Sequence, residues 1–224
     1  MTNILKFEAR KRNNSTVEVN LFGEIGNDVT SAAFIERLQS LQPYSHVIIN
    51  VNSPGGSVVE GNAIYNYLMR STAYITARIE GVAASMASVI VMAADTIIMP
   101  DNALLMIHDP SGSVTGGADD LRQMADLIDR FHASILNAYI TRTKLPRERV
   151  ESMMAAETWL SAADAVKLGF ADEVEGAVAI AATFDLSRFK HAPEIDTGLT
   201  GLIGPKGEVN VAAVYRKWNA PRAK

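Results

Sequence analysis

The chain has 224 residues, 48% of them hydrophobic and 21% charged, with a formal net charge of −4. That length suffices for one sizeable core, since a domain of this size buries roughly 70% of its unfolded surface. No basic block stands out, which argues against a nucleic-acid binder, and the absence of cysteine excludes disulfides and thiol catalysis and fits a reducing compartment.

Met1 to Arg12 lacks the apolar core of a signal peptide. No apolar run nears the ~20 residues of a membrane span; Ala87 to Ala94 contains Ser88 and stops at Asp95. A cytoplasmic location is expected.

In chain order, residues 1–16 read as a short, polar, loose segment. Val17 to Phe22 alternates apolar and polar, the period of a strand. Thr30 is a good N-cap, and Ala33, Phe34, Leu38 and Leu41 recur at helical spacing until Pro43. His46 to Val51 is a β-branched run of the kind found in buried parallel strands. Asn52-Ser-Pro-Gly-Gly-Ser57 breaks it, and a helix is predicted over Val58–Arg70. The same order recurs with a strand at Tyr74–Ile79, a turn of small residues from Gly81 and an apolar run from Val89. Two such units predict repeated β–α layers with a mostly parallel sheet, their turns together at the end where ligands bind.

Strands follow at Thr96–Met99 and Ala103–Ile107, and the latter runs into His108 and a glycine-rich segment to Gly117. Residues 118–143 carry the longest helical stripe, Leu121, Met124, Leu127, Ile128, Phe131, Ile135 and Tyr139, suited either to the chain's own sheet or to another subunit. A short helix is predicted over Arg147–Ala156. Ser161, Asp164 and Gly169 give the caps of another, and Phe170–Val174 reads as a last strand. The domain is taken as 17–186, followed by a tail, 187–224, with a Gly-rich linker and an amphipathic pattern at Val211, Val214, Tyr215 and Trp218.

The chemistry centres on Gly81-Val-Ala-Ala-Ser-Met-Ala-Ser88. A serine at a strand-to-helix junction sits beside unpaired N–H groups and a dipole that favours developing negative charge. Ser85 is therefore read as a nucleophile. A serine needs a base. His46 begins a strand, His132 lies in the long helix and His191 in the tail, whereas His108 ends a strand beside a glycine-rich loop. From spacing alone His108 is equally well read as structural. An oxyanion needs two donors: the N–H of Met86 is one, and the Gly55-Gly56 turn offers the other. The Asp, Glu and His residues lack metal-ligand spacing, and no metal or organic cofactor is expected.

Asn52-Ser-Pro-Gly-Gly56, Ala83-Ala-Ser-Met86, Met106-Ile-His108 and Leu160-Ser-Ala162, in this order and spacing, resemble the proteolytic subunit of the Clp protease over roughly residues 17–175. Ala63-Ile-Tyr-Asn66, Asn137-Ala-Tyr139 and Glu157-Thr-Trp-Leu160 are similar to the Clp-like head maturation proteases of phages and prophages. The resemblance implies the Clp/crotonase-like α/β fold of repeated β-β-α units with a protruding handle helix. It implies a serine endopeptidase with Ser85 as nucleophile, His108 as base and the Gly56 and Met86 N–H groups as oxyanion donors. Gly55, Ser57, Val58 and Asp109 would hold an extended substrate. At the third triad position the family has aspartate, and the match on Leu160-Ser161 puts Glu157 there, with Asp164 or a bare dyad as alternatives.

The same resemblance implies a homo-oligomeric ring acting on protein substrates, here capsid or scaffold proteins in a host cytoplasm. The short polar segment before the first predicted strand argues against docking an ATPase unfoldase. Other readings are a crotonase-like acyl-CoA enzyme, for which no basic pocket for the CoA phosphates is visible, and a Ser–Lys peptidase, against which Lys144 and Lys167 both stand in polar helical or loop contexts. A catalytically silent scaffold of the same fold is a further alternative.

Overall fold

The β-branched and alternating runs become the sheet, and the striped segments become its helices. The computed structural model describes residues 7–177, 186 and 188–193. The linker glycines 198–207 and the amphipathic pattern 211–218 lie outside these residues.

β1 (Phe7–Lys11) pairs antiparallel with β2 (Thr16–Phe22). The sequence reads as loose over β1 because its residues are largely polar. Only Ala9 among them is fully buried, while the hydrogen bonds to β2 hold the rest. β2, β3 (His46–Ser53) and β4 (Tyr74–Ala84) then run parallel. α1 (Ser31–Ser40) starts at Thr30, whose side chain accepts from the Ala33 N–H, and α2 (Val58–Met69) starts at Ser57 in the same way.

β4 is longer than its periodicity suggests. The predicted turn at Gly81–Ala84 is continuous strand, because Val82, Ala83 and Ala84 pair with β6 (Leu104–Ile107). Its lower half pairs with β5 (Thr96–Pro100). The sheet thus divides along β4, one branch continuing through β5 to β8 (Glu173–Glu175), the other through β6 to the antiparallel β7 (Thr158–Ser161). The eight strands among the described residues give the mostly parallel α/β sheet expected. The last strand falls at 173–175 rather than 170–174 because Phe170 and Ala171 are buried in the turn after the Gly169 cap.

The short α3 (Met86–Val91) follows β4 directly and is entirely buried. α4 (Ala118–Thr143) has the predicted bounds, but its stripe divides: Ile135 and Tyr139 enter the core, while Leu121 and Leu127 stay exposed. α5 (Arg147–Ala155) and α6 (Ala162–Leu168) follow. Among the described residues no helix is long and apolar enough to cross a membrane.

Candidate active site

Three parallel strands deliver the site at their C-terminal ends, the usual place for ligands on such a sheet. β3 ends at the Pro54–Gly56 turn, β4 at Ser85 and β6 at His108. β7 runs antiparallel to β6 with Thr158 opposite Ile107, so the residue before β7, Glu157, is carried beside the residue after β6, His108.

Ser85 has φ 55 and ψ −127, a conformation rare for a residue with a side chain. It is the abrupt passage from strand to helix that turns the hydroxyl outward. The backbone there is pinned. The Ser85 N–H donates to the Met106 carbonyl at 3.0 Å. Ser88 Oγ donates to the Ser85 carbonyl at 2.6 Å and lies 2.7 Å from the buried Tyr139 hydroxyl. Burial pushes the Tyr139 phenol well above its ordinary pKa, so it stays a neutral hydrogen-bonding group.

His108 Nε2 is 2.8 Å from Ser85 Oγ, the spacing required of a nucleophile and its base. Burial lowers the His108 pKa below the ordinary 6.5. Glu157 and Asp109 pull it upward, and Arg188 pushes it down. The neutral imidazole, the form able to accept a proton, is thus favoured.

The glycine turn abuts the serine. Gly55 has φ +87, and a Cβ there would lie 2.6 Å from both Ser85 Cβ and the Ala84 carbonyl. Gly56 has φ +144, and a Cβ would lie 2.1 Å from the Ile25 carbonyl, to which the neighbouring Ser57 N–H donates. Only glycine fits either place. The turn passes so close that a Gly55 Cβ would be 2.9 Å from the Met86 nitrogen. Met86 begins α3, so its N–H has no acceptor within the helix.

Ser85, His108, Glu157, Gly56, Val58 and Asp109 all line one cleft of about 500 Å³. Gly55 and Met86 lie just behind its wall, and the Ser57 hydroxyl serves as the cap of α2. Asp109 turns toward His132, with Oδ1 3.3 Å from Nε2. Asp164 is occupied by Ser161, accepting from its hydroxyl at 2.7 Å, and is absent from the cleft. Neither Lys144 nor Lys167 lines it.

Glu157 is near His108 but not bonded to it. Its φ is 51, and its carboxylate is held by the far wall of the cleft: Oε1 accepts from the His191 N–H at 2.6 Å and Trp159 Nε1 at 3.4 Å. Oε2 accepts from the Lys190 N–H at 3.0 Å. Burial alone would raise the Glu157 pKa. The two backbone donors and Trp159 outweigh it and leave the group below its ordinary value.

Sequence reasoning missed the far wall of the cleft, Arg188 to His191. His191, set aside there as a tail residue, reaches Glu157 through its backbone. The visible signal was Arg188-Phe-Lys190, an aromatic between two cations just before the glycine-rich stretch.

A family model described as Clp protease matches residues 6–177. The chain is 32% identical over 160 residues to the ATP-dependent Clp protease proteolytic subunit 1 of Chlamydia muridarum, covering 68% of this chain and 83% of the relative. The subunits of the same name from Chlamydia caviae and Chlamydia pneumoniae are 32% and 31% identical, each with 68% of this chain and 84% of the relative covered. On this match, and with a serine and a histidine joined where three parallel strands end, the chain belongs to the Clp protease family.

Proposed function

We propose that this chain is a serine endopeptidase in which Ser85 is the nucleophile and His108 its general base. The observation that carries this reading is the 2.8 Å contact between Ser85 Oγ and His108 Nε2, at a serine whose backbone is turned out at a helix start. In the reaction Ser85 Oγ bonds to the scissile carbonyl carbon as Nε2 takes its proton. The oxyanion is received by the Met86 and Gly56 N–H groups. His108 then gives the proton to the leaving amine as the C–N bond breaks, and water, activated by the same imidazole, releases the acyl group. Glu157 is the acid assigned to orient the imidazole through Nδ1, a role it takes up only on giving up its bonds to the Lys190 and His191 N–H groups.

The substrate cleft is bounded by the Gly56–Val58 segment on one side and Asp109–Ser111 on the other, which suits an extended peptide pairing its backbone with both. The motif resemblance to phage and prophage enzymes supports a role in cutting capsid or scaffold proteins, in the cytoplasm of a bacterial host and as a homo-oligomeric ring.

Labelling with a fluorophosphonate probe tests the chemistry. The intact chain is expected to label, Ser85→Ala to lose all labelling, and His108→Ala to label at least about 100-fold more slowly, the usual size of a general-base contribution. A folded chain that never labels would instead be a silent member of the fold. Mass-spectrometric mapping of cuts in co-expressed head proteins tests the substrate assignment, which fails if Ser85→Ala leaves the same fragments.

A further inference from the structure

Residues 186 and 188–193 lie across the site. Phe189 is 7% exposed; its ring meets that of His108 edge to face at 5.5 Å and that of Trp159 at 5.8 Å. With Leu186 it completes a small apolar cluster on Val82, Ala84 and Met106. Arg188 Nη1 donates to Glu24 Oε1 and Nη2 to the Pro54 carbonyl, both at 2.7 Å. Lys190 and His191 donate their backbone N–H groups to Glu157. Each anchor of the segment is therefore part of the site or its frame: the base, the carboxylate beside it, and the turn that carries Gly56.

These contacts exclude a working triad while they last. Among the described residues no hydrogen bond joins Glu157 to His108. Both carboxylate oxygens are already engaged, and bonds from N–H groups to an ionised carboxylate are among the stronger kinds. Phe189 meanwhile occupies an apolar seat, floored by Val82 and Met106, directly beside the imidazole.

We propose that residues 186–193 are a cis-acting strap that keeps the protease latent, with Glu157 as its latch. Seated, the strap draws Glu157 away from His108 and fills the place of a substrate's large apolar side chain. Released, it frees Glu157 to turn to Nδ1 and opens the seat. This inference rests on the serine endopeptidase reading.

The test is the rate of fluorophosphonate labelling of Ser85 in the full chain. The double variant Arg188→Ala, Phe189→Ala is expected to label about tenfold faster or more, the gain if the strap is seated in roughly nine molecules of ten. Adding Glu157→Ala is expected to remove that gain by slowing the double variant by a larger factor than it slows the intact chain, whereas under a strap acting only as a steric cover the factor would be the same in both. A synthetic peptide of residues 186–193 is expected to slow the double variant again. Should the double variant not fold, Lys190→Pro with His191→Pro removes the two latch donors and keeps the side-chain anchors, with the same expectation. Equal or slower labelling of a folded strap variant overturns the strap and leaves the protease reading standing. A gain that survives Glu157→Ala overturns the latch. No labelling in either form overturns the protease reading and the strap with it.

Discussion

His108 can accept the Ser85 proton only while its imidazole is neutral, so the sign of its pKa shift decides the working range. Burial disfavours the imidazolium, and Arg188 adds to that, while Glu157 and Asp109 oppose it. Because the folded pKa lies below the ordinary 6.5, the neutral base persists as the pH falls through 6.5 and is lost only at lower pH. The rate of probe labelling is therefore expected to rise with pH around a midpoint below 6.5 and to be flat near neutrality. Replacing Arg188 removes a cation and should move that midpoint upward. A pH–rate profile measures both, and a midpoint at or above 6.5 in the intact chain would contradict the burial argument. At this scale the pairing of Ser85 with His108 was legible in the sequence, because a serine between small residues and a histidine at a strand end are local patterns. Glu157 was legible only by alignment on Leu160-Ser161. Its true bonding partners were not legible, since backbone N–H groups more than thirty residues away leave no mark on residue type.

Elements hold the strained serine in place. α3 alone is six residues long and too short to be stable by itself. Its hold on Ser85 runs through Ser88 to Tyr139 of α4, a hydrogen-bonded chain across two helices. Tyr139→Phe removes one hydroxyl from that chain without changing the packing volume. The expected cost is about 1 kcal/mol, since Ser88 keeps its bond to the Ser85 carbonyl. For a chain of this size that lowers Tm by roughly 2–4 °C. Labelling of Ser85 should slow several-fold while the pH midpoint stays fixed, because the base is untouched. A calorimetric scan with a labelling time course checks this, and an unchanged labelling rate would mean that Ser85 is held by β4 and Met106 alone. The sequence placed both helices correctly but not the bond between them. Helical spacing put Tyr139 on an apolar stripe, and nothing in that stripe tells which of its members carries a buried hydroxyl toward a serine. It also ended β4 too early, since small residues signal a turn locally and the pairing with β6 that overrides the signal is a tertiary effect.

The whole molecule has an unbalanced helix. The C-terminal part of α4 is anchored by Ile135, Leu136 and Tyr139, all buried, whereas in its N-terminal part Leu121 is 54% and Leu127 41% exposed. The stripe is continuous in sequence, yet the described residues leave Leu121 and Leu127 uncovered. A helix that keeps its apolar period beyond its own sheet is built to meet another surface. The homo-oligomer proposed above supplies one, a second copy laying the same half of α4 against it. Each leucine is already about half covered, so covering the rest contributes on the order of 1 kcal/mol, and two per subunit on both sides of a contact make it sensitive to charge. Leu121→Asp with Leu127→Asp is therefore expected to shift the molecule to smaller assemblies at micromolar concentration, with the fold of each subunit retained because neither side chain belongs to the core. Light scattering coupled to size exclusion measures this directly. An intact chain that elutes as a single subunit, or a double variant with unaltered mass, would place the contact elsewhere and leave this half of α4 as a face for the substrate protein.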